Sequence, residues 1–435
     1  MAPPTAFVNL TQLAILALAV AYLFRVRIAP RFAWAFFNLA LGVAAWESLA
    51  QNGYLMDATV FRTAGRAIWS HEDPYASLRV LNPPTALPLF ALLALIPAAV
   101  FGPVWKVAII LGHAATSLVS GRLVDSDVKP AVKSDGARVP TDVVVVAAVV
   151  VMSVAARMSL AIGQLTFVTT LAIVAALLFH VRGKPIAAGI ALAVATIKIT
   201  TMLPFLLLFL HRRDWKVWVA LVVAGLALTF ATVAPGDLVA RLSSALAAIK
   251  AGSAPGAMND YTFANPYSVD LVSFGHAIYH LGLRDRSLIN VCQLAATGLL
   301  GLGVWWKCRD ASGLSFVQQA CLVSCFSMCF LYHREYDSTI LAIPLVYCLR
   351  EAVAVSGRAP WRYRCGALAI LGVLYLRIRL LGRFMSLAER GGPLARLVEV
   401  LVLPSATWLV LAALFLLASA MRPSSTPRAA RAAHA

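Results

Sequence analysis

The residues best able to do chemistry are few and far apart in the chain. Asp57 follows the apolar run Phe32–Ala50 at the edge of a polar loop, where a carboxylate can take a proton from a hydroxyl. Lys198 sits inside the apolar stretch Pro185–Leu210, about 13 residues from either end, or roughly 20 Å at the helical rise. Snorkelling cannot carry its ammonium out of a straight helix of that depth. It therefore reads as a cation for an anionic group, or as a hairpin tip or a carboxylate's partner. His333 ends a late apolar run just before Arg334 and Glu335, where a phosphate contact and a helix-end cap fit equally. Arg62 and Arg66, four residues apart, suit either a substrate phosphate or lipid headgroups. The stretch Asn259–Ser268 mixes amides with aromatic rings, a composition that serves sugar recognition and ordinary turns alike.

Other candidates carry less. His276 and His280 are spaced for one helix face, but no carboxylate ligand is near them in sequence, so no metal site is expected. All seven cysteines lie between Cys292 and Cys365, and Cys321, Cys325 and Cys329 form a helical stripe that reads as packing. No P-loop and no G-x-G-x-x-G motif is present, which disfavours a nucleotide-bound substrate handled by a soluble domain.

The elements that must position these residues are membrane helices. Of the 435 residues 61% are hydrophobic and 13% charged, and the mean hydropathy is +0.81. A water-soluble domain of this size could not bury such a composition around one core. At about 20 residues per crossing, roughly a dozen apolar runs put about half the chain in lipid. The expectation is an all-α polytopic membrane protein, with residues 1–421 as one integral-membrane domain. Two polar loops, 51–84 and about 235–288, would leave the membrane on one side, and residues 422–435 would form a basic cytoplasmic tail. The net charge of +18, from 37 Lys and Arg against 19 Asp and Glu, is scattered in short patches between apolar runs. That pattern follows the positive-inside rule and argues against a nucleic-acid partner.

The charge patches anchor the topology. With the Arg25, Arg27 and Arg31 link inside, the next run delivers the loop holding Asp57 to the external face. Both His180–Pro185 and His211–Lys216 are basic and want the inside, so the stretch between them, holding Lys198 and Pro204, is expected to be a hairpin or re-entrant pair. The run Thr85–Phe101 is expected as one apolar helix. Crossing parity between Pro84 and His180 stays open, because the link 122–142 carries balanced charge. From Ala58 to Trp69 the apolar residues fall at helical spacing, predicting an amphipathic helix lying in the interface. The leading run Phe7–Phe24 has no basic residue before Arg25 and reads as a retained helix.

Taken in order, Asp57 after a membrane helix, Phe61-Arg62-Thr-Ala-Gly65, Asp73-Pro74-Tyr75 and Asn82-Pro83-Pro84 resemble glycosyltransferase family 87. That family comprises polyprenyl-phosphate-mannose-dependent α-mannosyltransferases of the GT-C superfamily. Gly163-Gln164, Lys198 with Pro204, Asn265-Pro-Tyr-Ser268 and His333 extend the resemblance as far as residue 333. The run Arg334-Glu-Tyr-Asp337 and the leading apolar run fall outside it. The resemblance implies a GT-C transmembrane helix bundle whose active site is carried on external loops of a cell inner membrane. It further implies an inverting transferase that moves a sugar, expected to be mannose, from a polyprenyl-phosphate donor to a glycolipid or glycan hydroxyl. No cofactor and no metal is implied, and the partners are the two substrates and membrane lipids. Asp57 would be catalytic, Lys198, His333 and Arg62 would hold the donor phosphate, and Tyr75, Asn82, Gln164, Asn265 and Ser268 would contact substrate. The chemistry agrees: a phosphate leaves as a stable anion, so one base suffices where glycosidases use two carboxylates. A transporter or lipid flippase is the alternative, using Lys198 and broken helices for alternating access. No inverted repeat supports it. A scaffold protein without activity is a second alternative.

Overall fold

The computed structural model describes residues 5–50, 55–76, 80–126, 139–210, 214–309, 312–354, 360–375, 384, 387–388 and 392–421. The chain begins with helices α1 (Thr5–Leu23) and α2 (Pro30–Ala50), joined by a turn in which Arg25 adopts a left-handed φ of 67°. Next comes α3 (Met56–Trp69), amphipathic as its spacing predicts, with Ala58, Phe61, Ala64 and Gly65 buried and Arg66 and Trp69 exposed. It packs on α4 (Leu87–Leu95), where Phe61 stacks on Phe90 at 4.8 Å and Trp69 Nε1 donates to the Ala91 carbonyl at 2.9 Å. Gly65 lies directly against the Phe90 carbonyl, and any Cβ there would collide with it.

The single helix expected over Thr85–Phe101 is instead broken. Ile96 is extended, with a ψ of 127°, because it precedes Pro97, and α4 stops there after nine residues. Nine residues rise only about 13 Å, too short to cross. The crossing belongs to α5 (Ala98–Asp125), followed by α6 (Thr141–Met152) and α7 (Val154–Ile162), bent by 47° at Ser153, and α8 (Thr166–Val181). Helices α5 and α8 run parallel: Trp105 Nε1 donates to the Gly163 carbonyl at 3.0 Å, and Thr116 meets Thr170 at 3.5 Å further along. Asp125 and Val181 therefore end on the same face, which settles the parity left open by charge.

The stretch Pro185–Leu210 is long and apolar enough to cross once, yet it turns back. Helix α9 (Pro185–Ala195) leads to a tip where Lys198 leaves the helical path at φ −128°, ψ 81°. Short helices α10 (Ile199–Met202) and α11 (Leu206–Leu210) then return. A straight helix would hold Phe209 about 36 Å from Pro185. Instead the Phe209 ring lies 5.1 Å from the ring of His180, just before Pro185, and Asp214 pairs with His180 at 3.2 Å. The next helix, α12 (Trp215–Phe230), packs on α9 through Gly189, which has room only for hydrogen against the Val217 carbonyl. This is the re-entrant pair expected from the two flanking basic links, although His211–Arg213 fall outside the described residues.

After α12 the chain bends by 96° into α13 (Leu238–Gly252), which lies across the face with Val239 and Leu246 exposed. A loop, the two-residue strand β1 (Leu271–Val272) and α14 (Phe274–His280) lead to α15 (Arg286–Cys308), mostly exposed along an apolar surface suited to lipid. Helix α16 (Phe316–Cys329) starts from a capping box at Ser315 and Gln318 and buries its cysteine stripe as packing. Strand β2 (His333–Arg334) pairs antiparallel with β1, with Leu271 opposite Arg334 and Val272 opposite His333. A 3₁₀ turn, Glu335–Leu341, passes into α17 (Ala342–Ala354), α18 (Pro360–Tyr375), α19 (Pro393–Leu397) and α20 (Ser405–Ala420). The centre of the bundle is α6, buried without interruption from Asp142 to Met152 and surrounded by α1, α2, α5 and α17.

Contacts between links define two faces. Arg350 pairs with Asp125 and Asp142, Arg25 Nε donates to the Ala352 carbonyl at 3.5 Å, and Arg362 donates to the Ser419 carbonyl at 2.6 Å. The link after α1, the links after α5 and α8 and the end of α20 thus share one face. Asp57, the Gly163 turn, α13 and β1–β2 occupy the other. The tail 422–435 is outside the described residues.

Candidate active site

Asp57 lies in the first turn of α3, half-buried, on the face opposite the basic links and outside the spanning segments. Gln164 Nε2 donates to its Oδ2. That contact depends on Gly163, which ends α7 at φ 79° and touches Ala58 so closely that a Cβ would clash. Burial raises the Asp57 carboxyl above its ordinary range, while the Gln164 hydrogen bond and the charges of Lys198 and Arg334 pull it back down. A carboxylate with an elevated proton affinity, one hydrogen bond and two cations in electrostatic reach can act as a base.

The cations come from two elements. Lys198, at the tip of the α9–α10 hairpin, pairs with Asp337 and lies 4.5 Å from the centre of the Tyr336 ring. Asp337 is fully buried and takes three further donors: Thr166 Oγ1 at 2.8 Å, His333 Nδ1 at 3.2 Å and the Arg334 amide at 3.2 Å. With Nδ1 engaged, the buried Nε2 of His333 has no partner among the described residues. Arg334 donates to the Met258 carbonyl and lies 3.8 Å from Asp270, whose carboxyl burial pushes up to about 6 against the pull of Arg334. The β1–β2 pairing fixes this second loop beside the hairpin tip. One carboxylate at the start of an interfacial helix and cations from Lys198 and Arg334 suit chemistry in which a hydroxyl is deprotonated and an anion departs.

The family model of glycosyltransferase family 87 matches residues 81–332, more than half of the sequence. The chain belongs to glycosyltransferase family 87. No protein of curated function matches it. Family membership decides for a glycosyltransferase over the transporter and scaffold alternatives, and with the bundle of apolar helices it makes this a multi-pass membrane enzyme. Asp57 precedes the matched segment, and His333 and Asp337 follow it. Within this family 87 chain the folding of α3 against the Gly163 turn brings Asp57 to the matched part.

The remaining residues singled out from sequence divide by placement. Asp57, Gln164, Lys198 and His333 gather around Asp337 and the Gly163 turn. Arg62 faces elsewhere: it donates to the Ile96 carbonyl at 2.9 Å and lies 5.3 Å from the Phe101 ring, bracing the break between α4 and α5. Tyr75 is fully buried and its hydroxyl donates to the Asn82 carbonyl at 3.0 Å, while Asn82 Nδ2 donates to the Ile197 carbonyl at 3.0 Å. Asn265 pins its own loop, donating to the carbonyls of Met258 at 3.0 Å and Asp260 at 2.8 Å. Ser268 is buried with its hydroxyl unpartnered among the described residues. His276 and His280 hydrogen-bond to each other at 2.9 Å beside Glu399, and the described residues contain no cluster suited to a metal. Sequence reasoning missed Asp337, Arg334 and Thr166. The signal was there in Arg334-Glu-Tyr-Asp337, a charged run just after an apolar helix, because ionisable groups so placed need partners.

Proposed function

We propose that this family 87 enzyme transfers a sugar, mannose, from a polyprenyl-phosphate donor to a hydroxyl of a glycolipid or glycan, with inversion, at the external face of a cell inner membrane. The observation that carries this reading is the half-buried carboxylate of Asp57 within electrostatic reach of Lys198 and Arg334, at the foot of an amphipathic helix. The acceptor hydroxyl gives its proton to Asp57 as its oxygen bonds to the anomeric carbon. The bond from that carbon to the phosphate oxygen breaks, and the phosphate leaves with the electron pair as a monoester anion. Lys198 receives that anion beside His333, and Gln164 holds Asp57 in place. In-line displacement converts a β-linked donor to an α-linked product. The basic links on the opposite face support external placement by the positive-inside rule. Two lipid-borne substrates then meet at headgroup level.

The test is purified enzyme with labelled polyprenyl-phosphate mannose and a panel of glycolipid acceptors. Asp57→Asn should fold normally and lose about 100- to 10,000-fold in turnover, the usual cost of losing a general base. Near-normal turnover in this variant would remove Asp57 from the mechanism. Transfer from a nucleotide sugar in place of the lipid phosphate would remove the donor assignment.

A further inference from the structure

A chain of contacts runs from the interfacial helix α13 to the tip of the re-entrant hairpin. Arg241 and Ser244 on α13 clamp the two carboxylate oxygens of Asp73. Asp73 Oδ1 also accepts from the Tyr75 amide at 3.1 Å, fixing the turn at Asp73-Pro74-Tyr75. The buried Tyr75 hydroxyl then holds the Asn82 carbonyl, and the Asn82 side chain holds the Ile197 carbonyl. A second tie joins the same two segments, Thr196 Oγ1 to Thr85 Oγ1 at 2.9 Å.

The physical need for this chain lies at the tip. Lys198 leaves the helical path, which interrupts the backbone ladder around Ile197, a residue only 4% exposed. A carbonyl stranded there would go unsatisfied far from bulk water. Asn82 supplies a side-chain donor from another segment, and Pro83 and Pro84 stiffen the backbone behind it. The adjoining residue is Lys198, whose ammonium is held from the other side by Asp337.

We propose that Asn82 is a positioning residue for Lys198: it fixes the hairpin tip through the Ile197 carbonyl, with Tyr75 and Asp73 holding Asn82 in turn, and it does not itself contact substrate. The inference rests on Lys198 receiving the donor phosphate, as argued above. It makes the Asp-Pro-Tyr and Asn-Pro-Pro segments parts of one brace that fixes the height of a lysine inside the membrane.

The experiment is a double-mutant cycle on the full-length protein, read by equilibrium binding of a short-chain polyprenyl phosphate and by donor KM and kcat. Asn82→Asp keeps the shape but presents an acceptor to an acceptor. It should weaken phosphate binding about tenfold, the scale of one buried hydrogen bond, and raise donor KM. In a Lys198→Met background the same change should cost nothing further, because the residue it positions is gone. Tyr75→Phe, which removes only the hydroxyl, should show the same pattern at a smaller size, and it carries the test if Asn82→Asp does not fold. Equal losses in both backgrounds, or unchanged binding in Asn82→Asp with Lys198 intact, would overturn the positioning role. Unchanged binding in Lys198→Met alone would instead overturn the phosphate assignment beneath it.

Discussion

Removing the two ends of the Lys198–Asp337 pair should have unequal consequences. The Asp337 side chain is 1% exposed and that of Lys198 20% exposed, so water reaches only the lysine. In Lys198→Met the Asp337 carboxylate keeps Thr166 Oγ1, the Arg334 amide and His333 Nδ1. The expected cost is about 1–2 kcal/mol, near that of one charged hydrogen bond. In Asp337→Asn all four donors lose their anion, the amide presents hydrogens where an acceptor stood, and Lys198 is left without its counter-charge. That case approaches the roughly 3–5 kcal/mol of breaking a buried pair from one side. The double variant should be no less stable than Asp337→Asn alone, because it also removes the orphaned charge. Unfolding by SDS titration from mixed micelles measures all three. A Lys198→Met more damaging than Asp337→Asn, or a double variant losing the sum of both, would refute the description of Asp337 as the hub.

Transfer should fall as pH drops through the Asp57 titration, because only the carboxylate accepts a proton. Since burial raises that group, the acid limb of the pH–rate profile should lie above the ordinary carboxylate range, and Gln164→Leu, which removes a bond favouring the anion, should move it higher still. An unmoved limb would count against Asp57 as the titrating base. Gly163→Ala should abolish most transfer and cost about 1–2 kcal/mol or more, from its left-handed φ and its contact with Ala58. Normal turnover would show that the Gln164 contact is dispensable. In a background lacking the seven native cysteines, Ser70→Cys should react with an impermeant thiol reagent in intact spheroplasts, and Lys184→Cys only after permeabilisation. Reversed labelling would put Asp57 in the cytoplasm.

Hydropathy and charge made the helical class, the interfacial α3 and the return of the Pro185–Leu210 stretch legible before any coordinates. The last came from two basic links demanding one face, a constraint that a hydropathy window cannot see. Proline did the opposite service at Ile96-Pro97, where a continuous apolar run hid a break because composition does not report backbone conformation. Within the site, Lys198 stood out because charge is rare at membrane depth, and Asp57 because it follows a membrane helix at the edge of a polar loop. Asp337 did not, since its role depends on Thr166, Lys198 and His333 converging from distant parts of the chain. Tyr75 and Asn82 each donate to a backbone carbonyl, a role that residue type alone could not distinguish from facing substrate.

The hairpin also sets a problem for biogenesis. Its 26 residues have a mean hydropathy of 2.0, so an insertion machinery reading them as they emerge meets a segment fit to thread straight through. Were it to do so, every later helix would be inverted. The partners that hold the tip back are divided in time: Asn82 and Thr85 are already synthesised, whereas α16 and Asp337 are still to come. A nascent chain ending just after Leu210 should therefore rely on the earlier contacts alone to keep its carboxyl end on the starting side, and translation to Asp337 would lock that choice.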